Sequence, residues 1–159
     1  MGRTTGGAAL ALLLFIGATQ VRSATPFGAL AGSWSGSGTI ELSNAREPIK
    51  CRASYDVLEE RSSLQLNIRC ASDSYNFDLR ASANYSGGAI KGSWSEATRN
   101  AAGTISGHAE GERIQVLATG PAFTAELILV TRGNRQSVSI KSHDKDSSVK
   151  GASIMLQRG

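Results

Sequence analysis

A hairpin encoded in residues 50–70 constrains this chain more than any other feature. The stretch KCRASYDVLEERSSLQLNIRC contains both cysteines of the protein. If its halves are antiparallel strands joined by a turn at residues 59–62, Cys51 faces Cys70, and the alternating apolar residues all fall on one face. A shift of one residue would destroy that agreement. The apolar pairs in this register are Ala53 with Ile68, Tyr55 with Leu66 and Val57 with Leu64.

The cysteine register predicts a structural disulfide between Cys51 and Cys70. Directly opposed strand residues have Cα atoms roughly 4.5 to 5.5 Å apart, which lies within the range of about 4.4 to 6.8 Å that a disulfide accepts. Two cysteines without a neighbouring histidine cannot complete a tetrahedral zinc site, and His108 and His143 are not at ligand spacing. We therefore expect no metal site and no cofactor.

The same period of two continues along most of the chain, and turn-forming segments such as YSGG, TGP and RGNR separate the runs. No segment after residue 23 sustains a helical stripe. The sequence predicts an all-β domain, an antiparallel up-and-down barrel or strongly coiled sheet of roughly eight to ten short strands. The apolar series are Tyr75, Phe77, Leu79 and Ala81; Ile114, Val116 and Ala118; Phe123, Ala125, Leu127 and Leu129; Val138 and Ile140; and Ala152, Ile154 and Leu156.

The motif Gly-Ser-Trp-Ser occurs twice and places Trp34 and Trp94 on the inner face of their strands. Inner glycines beside a large indole are typical of strongly coiled sheets and barrel corners. The two tryptophans either fill the core or line a ligand cavity, and in the second case they are the candidate ligand-binding residues. Unfilled space beside the small inner residues would favour the cavity; these residues are Gly36, Gly38, Ala53 and Ala81.

The N-terminus has the layout of a secretory signal peptide. An apolar run from Ala8 to Ala18 follows a basic residue, Arg3, and precedes small residues. The run is too short to span a bilayer. We predict a signal peptide over residues 1–23, cleavage before Ala24, and one mature domain over residues 24–159 without a transmembrane segment. An exported, disulfide-bonded chain of this kind is expected to be periplasmic or secreted.

Charge argues against a nucleic-acid partner. Loss of Arg3 and Arg22 with the signal peptide lowers the 17 basic side chains to 15, against 13 acidic ones. The basic residues are scattered singly, whereas nucleic-acid binding normally rests on a clustered basic face with stacking aromatics. We therefore expect no nucleic acid among the partners.

No catalytic constellation is present, because the chain lacks a Gly-x-Ser-x-Gly elbow, an HExxH motif and a phosphate-binding loop. His108 has Glu110 and Glu112 nearby, but such residues beside a hairpin turn are usually solvated surface charge. The sequence thus predicts a protein that is not an enzyme.

Between Leu30 and Cys70, the Gly-x-Trp of the first strand, the antiparallel meander and the early disulfide resemble small secreted barrels. These are the lipocalins, the avidins and the bacterial inhibitors of exported metalloproteases. The chain also resembles uncharacterised exported proteins of alpha-proteobacteria. Fold-level likeness cannot carry function, and the sequence as a whole predicts a non-enzymatic exported binding module with a small apolar molecule as the candidate ligand. It leaves two alternatives open: an inhibitor of an exported protease, or an envelope-interaction protein whose partner is another protein.

Overall fold

The computed structural model of the protein describes residues 1–2, 25–121 and 123–159. The predicted signal peptide and its cleavage before Ala24 fall on residues 3–24, outside the described residues. Among the residues described, there is no helix with the length and apolar character needed to cross a membrane.

Ten strands form a closed antiparallel barrel in the described part of the chain, and each strand pairs with its neighbours in sequence. Pairing of the first strand with the tenth closes the barrel. The predicted all-β, up-and-down architecture is therefore confirmed. The strands are β1 (Gly32–Leu42), β2 (Arg46–Leu58), β3 (Ser63–Ala71), β4 (Asn76–Ser86), β5 (Ala89–Glu96), β6 (Ala101–Glu110), β7 (Arg113–Gly120), β8 (Phe123–Arg132), β9 (Arg135–Ser142) and β10 (Val149–Arg158).

The β2–β3 hairpin has the predicted register. Cys51 pairs with Cys70 across the two strands, and their sulfur atoms form a disulfide with the Cα atoms 4.1 Å apart. A 3₁₀ turn over Glu59–Arg61 connects the strands. The alternation of apolar and polar residues therefore predicted the pairing of β2 with β3 correctly.

Two glycines of β1 allow the barrel to close. A Cβ atom added to Gly36 would lie 1.9 Å from the carbonyl oxygen of Met155, and one added to Gly38 would lie 1.9 Å from that of Ser153. Any side chain here would collide with the backbone of β10, so the strands can coil this closely only without one. The space that a side chain would take up at these two positions is therefore occupied by the backbone of β10.

A short N-terminal segment plugs one end of the barrel, which we call the plugged end. The 3₁₀ turn Pro26–Ala29 places Phe27 and Leu30 in the interior, where each is almost fully buried. The indole nitrogen of Trp34 donates a hydrogen bond of 2.7 Å to the carbonyl of Leu30. The guanidinium of Arg158 stacks over the same indole at 4.4 Å and donates to two carbonyls of the N-terminal segment, those of Ala29 and Ala31.

One contiguous hydrophobic core extends from this plug across β1, β2 and β10 and includes buried residues of β3, β4, β5, β7 and β9. It includes a polar network that crosses the interior: Tyr55 donates to Gln136 at 2.7 Å, and Gln136 donates to Thr131 at 3.0 Å. Burial raises the pKa of the Tyr55 hydroxyl, and the hydrogen bond to Gln136 opposes that rise only in part. Tyr55 therefore remains neutral and serves as a donor that ties β2 to β9.

Candidate functional site

Both predicted tryptophans point into the barrel, but they lie toward opposite ends. Trp34 is 2% exposed and Trp94 is 6% exposed. Trp34 is the third residue of β1, beside the plug, whereas Trp94 is the third residue from the end of β5. We call the end near Trp94 the far end; it carries the β5–β6 turn, residues 97–100, and the β9–β10 loop, residues 143–148.

The two indoles differ in their bonding. The nitrogen of Trp34 has an acceptor in Leu30, whereas Nε1 of Trp94 is buried without a hydrogen-bond partner among the described residues. The Trp94 ring lies against two glycines, since an added Cβ would come within 2.8 Å of Nε1 at Gly103 and within 2.8 Å of the ring carbon Cζ2 at Gly120. An unpaired buried donor is rare enough in folded proteins to require an explanation.

Trp94 is also separated from the main core. The contiguous cluster of buried residues contains Trp34 but not Trp94, although Trp94 is itself buried. The residues paired with Trp94 on its two neighbouring strands are small, Ala81 on β4 and Gly103 on β6. Its aromatic contact is with Phe123, edge to face at 6.1 Å between ring centroids.

The inner face of the barrel also carries apolar side chains that are only partly buried. They belong to β3, β4, β6, β8 and β9. All of them except Leu79 and Ala81 pack against the contiguous core. We call this set the inner lining: Leu66, Ile68, Leu79, Ala81, Ile105, Leu127, Leu129 and Ile140.

The four small inner residues singled out from sequence behave differently. Ala53 is buried in the main core, and the space at Gly36 and Gly38 is taken by the backbone of β10. Ala81 alone among them belongs to the inner lining, and it pairs with Trp94. Of the four, Ala81 is therefore the small inner residue that lies beside Trp94 and outside the contiguous core.

At the far end, Glu96 holds the β5–β6 turn in place. Its carboxylate accepts hydrogen bonds from the backbone nitrogens of Asp78, Thr98 and Arg99, at 2.9 to 3.1 Å, and from the Thr98 hydroxyl. Burial raises the pKa of Glu96, but these hydrogen bonds together outweigh it and bring the pKa below its usual value. The guanidinium of Arg99 stacks over the Tyr75 ring at 4.0 Å, which joins this turn to the β3–β4 loop.

A second carboxylate, Glu47, ties the beginning of β2 to the β3–β4 loop. It accepts hydrogen bonds from the hydroxyls of Ser72 and Ser74 and from the backbone nitrogen of Ser74. The hydrogen bond from Ser72 is the largest of the contributions that lower its pKa. These contacts stabilise the loops on one side of the far end.

The other side of the far end has a depression of about 430 Å³ between the β7–β8 and β9–β10 connections. Phe123, the aromatic neighbour of Trp94, lines it together with Gly120, Thr124 and His143. Two of its lining residues, Gly120 and Phe123, adjoin the Trp94 ring, so the depression lies beside this tryptophan.

The candidate acid and base residues lie on the outside. His108 and Glu110 are exposed on β6, and Glu112 forms an ion pair with Arg132 at 2.8 Å. Within residues 25–121 and 123–159, no group of three or more histidine, cysteine, aspartate or glutamate side chains is placed to hold a metal ion.

Sequence reasoning found the two tryptophans but missed the inner lining and a set of arginines on the outer face. The basic residues that are scattered along the chain are brought together by strand pairing: Arg52 lies opposite Arg69, which lies opposite Asp78. The first of these pairings was already implied by the hairpin register of residues 50–70. The second needed the β3–β4 register, for which the sequence has no marker comparable to the cysteines.

Comparison with known proteins identifies the fold but no family. No family model matches the chain, and no curated protein sequence matches it. Its structure is similar to the crystal structure of Rv2717c from M. tuberculosis, with a TM-score of 0.65, 11% identity, and coverage of 82% of this chain and 93% of that one. It is also similar to an S-type phycobiliprotein lyase, CPES from Guillardia theta, with a TM-score of 0.52, 14% identity, and coverage of 84% and 90%. At these identities the likeness concerns the barrel fold alone.

Proposed function

We propose that this protein is a non-enzymatic binding protein that takes a small apolar ligand into the barrel beside Trp94. One observation carries the proposal: Trp94 is buried but isolated from the contiguous core, and its indole nitrogen has no partner in the described structure. Trp34, by contrast, is held by Leu30 and Arg158 and serves to close the plugged end.

The chemistry of the lining determines the class of ligand. Ligand pockets are mostly apolar, with a few polar groups that fix orientation. The inner lining supplies aliphatic surface, and the indole N–H of Trp94 supplies one donor. Leaving a buried donor unpaired costs about 1–3 kcal/mol, so a ligand with one acceptor atom, such as a carbonyl or ether oxygen, recovers that cost. Because the nitrogen is covered in this structure, binding must shift the indole, and its emission should change.

The similar structures agree with a binding role without specifying it. One of them is named a phycobiliprotein lyase, so a barrel of this fold supports, in another organism, a protein that acts on a particular molecule. At 14% identity nothing about that molecule transfers to this chain. The proposal for this protein therefore rests on the surroundings of Trp94.

Variants with one tryptophan each test the proposal. Trp34→Phe leaves Trp94 as the emitting residue of the mature domain, and Trp94→Phe leaves Trp34. Both proteins are titrated with a panel of fatty acids, fatty alcohols and flavonoid-type aromatics. We expect a saturable change of emission with one class of ligand in Trp34→Phe, and weakened binding without that change in Trp94→Phe. A change carried by Trp34 alone would contradict the assignment.

Two matched alanine-to-leucine substitutions distinguish the filling of a ligand site from a general loss of stability. Ala81 points inward opposite Trp94, whereas Ala102 is exposed on the outer face of β6. We expect Ala81→Leu to abolish ligand binding by filling the space, and Ala102→Leu to bind normally. If no ligand in the panel binds saturably to the native protein, the binding proposal is wrong, and a protein partner becomes the better explanation.

We also propose that the protein is exported. The disulfide between Cys51 and Cys70 supports this, because such bonds persist in oxidising compartments. N-terminal sequencing of the exported protein should begin at Ala24, or at Thr25 if the neighbouring site is used. An intact Met1 on the exported protein would overturn the assignment.

A further inference from the structure

A second depression, of about 460 Å³, lies on the outer face of the barrel across β1 to β4, on the opposite side of the strands from the inner lining. We call it the outer groove. Three arginines contribute to its lining. The polar side chains that line it are Ser33, Ser35, Ser54, Asn67, Arg52, Arg69, Arg80 and Asp78.

The charges in the outer groove are incompletely balanced. Arg69 donates through Nε to Asp78 at 2.8 Å. Arg52 lies directly opposite Arg69, and like charges opposed across two strands repel one another. The side chains of Arg52 and Arg80 make no hydrogen bond or ion pair with any residue of the described chain. Strand pairing therefore brings three arginine side chains into this groove, with Asp78 as the one side-chain carboxylate in its lining.

We propose that the outer groove binds the oxyanion group, phosphate or carboxylate, of a small soluble ligand, independently of the apolar site inside the barrel. Guanidinium groups bind both kinds of oxyanion through paired, charge-assisted hydrogen bonds. Arg52 and Arg80 flank Asn67, which pairs with Arg80 across β3 and β4. The amide of Asn67 and the hydroxyl of Ser54 are neutral donors for the remainder of such a ligand.

The surface around the groove favours a small solute over a macromolecule. Nucleic-acid sites without sequence preference use exposed aromatic side chains for stacking, but the groove lining includes no exposed aromatic ring, and its one aromatic residue, Trp34, points into the core. Membrane surfaces bind basic faces that also insert apolar side chains. In the described chain the exposed large apolar residues are Met1, Leu58 and Met155, and none of them lines the groove.

The experiment is a calorimetric titration of the mature protein with inorganic phosphate and with citrate at low ionic strength. We compare Arg52→Gln/Arg80→Gln with a control that removes the same charge elsewhere, Arg113→Gln/Arg135→Gln, on exposed residues of β7 and β9. We expect at least a tenfold weaker affinity in the groove variant and a change within twofold in the control. Equal losses in the two variants would show a general charge effect and overturn the proposal.

Asp78 provides a test in the opposite direction. Asp78→Asn keeps an oxygen that can accept from Arg69 but removes the one side-chain carboxylate of the groove. We expect oxyanion affinity to increase several-fold, an effect that a merely damaged groove would not show. If neither anion binds saturably to the native protein, the proposal is wrong. It is also wrong if the protein binds anionic lipid vesicles but neither anion. The groove variant should bind the apolar ligand normally, so failure of one proposal is distinguishable from failure of the other.

Discussion

Replacing Trp34 by phenylalanine should cost much more stability than replacing Trp94. In Trp34→Phe, the carbonyl of Leu30 loses its indole donor, which costs about 1–3 kcal/mol at a buried site. The smaller ring leaves a cavity of about 40 Å³, which at about 24 cal/mol per Å³ costs about 1 kcal/mol. Weaker stacking of Arg158 adds about 0.5 kcal/mol. The free energy of unfolding should therefore fall by about 3 kcal/mol.

In Trp94→Phe the free-energy cost of the cavity is similar to that in Trp34→Phe. The N–H group that is lost, however, had no hydrogen-bond partner in the described structure. Removing an unpaired buried donor recovers about 1–3 kcal/mol, so the net change should lie near zero or be stabilising. Urea unfolding of both variants without added ligand, followed by far-ultraviolet circular dichroism, measures the difference. The melting temperature of Trp34→Phe should drop by about 10 °C. Equal destabilisation of the two variants would refute the distinction between a structural and a ligand-facing tryptophan.

Three further predictions concern the barrel itself. Denatured, unreduced mature protein should show no free thiol on titration, and replacing Cys51 and Cys70 by serine should lower the free energy of unfolding by about 3 kcal/mol; two free thiols would contradict the disulfide. Gly38→Ala should cost at least about 2 kcal/mol in a denaturant titration, because the added Cβ meets the backbone of β10, whereas Ser37→Ala on the outer face should be nearly neutral. The pKa of Glu96 is lowered below 4.5 in the folded protein, so its carboxylate stabilises the fold above that pH and loses this effect as the pH falls through the lowered pKa. The difference in melting temperature between the native protein and Glu96→Gln should therefore narrow from pH 7 to pH 3. A constant difference would argue against a stabilising role of the ionised carboxylate.

The β2–β3 hairpin and the inward direction of both tryptophans could be predicted because they depend on local alternation. Each strand has a period of two, so the choice of inner face at Cys51 and Cys70 carries over to every residue of that hairpin. The inner glycines of β1 also indicated close coiling correctly. The condition that would favour a cavity, unfilled space beside the small inner residues, is not met at Gly36 and Gly38, because the backbone of β10 occupies that space.

The sequence by itself determined the all-β class, the antiparallel order of strands and the disulfide, since alternation and turn residues act over a few positions. Tertiary structure alone decided that Trp34 is held by the N-terminal plug while Trp94 is left without a hydrogen-bond partner in the described chain. It also decided that Arg80 joins Arg52 and Arg69 in one groove. These outcomes depend on the registers between strands and on closure of the barrel, in which residues far apart in sequence become neighbours, and no local pattern encodes those distances.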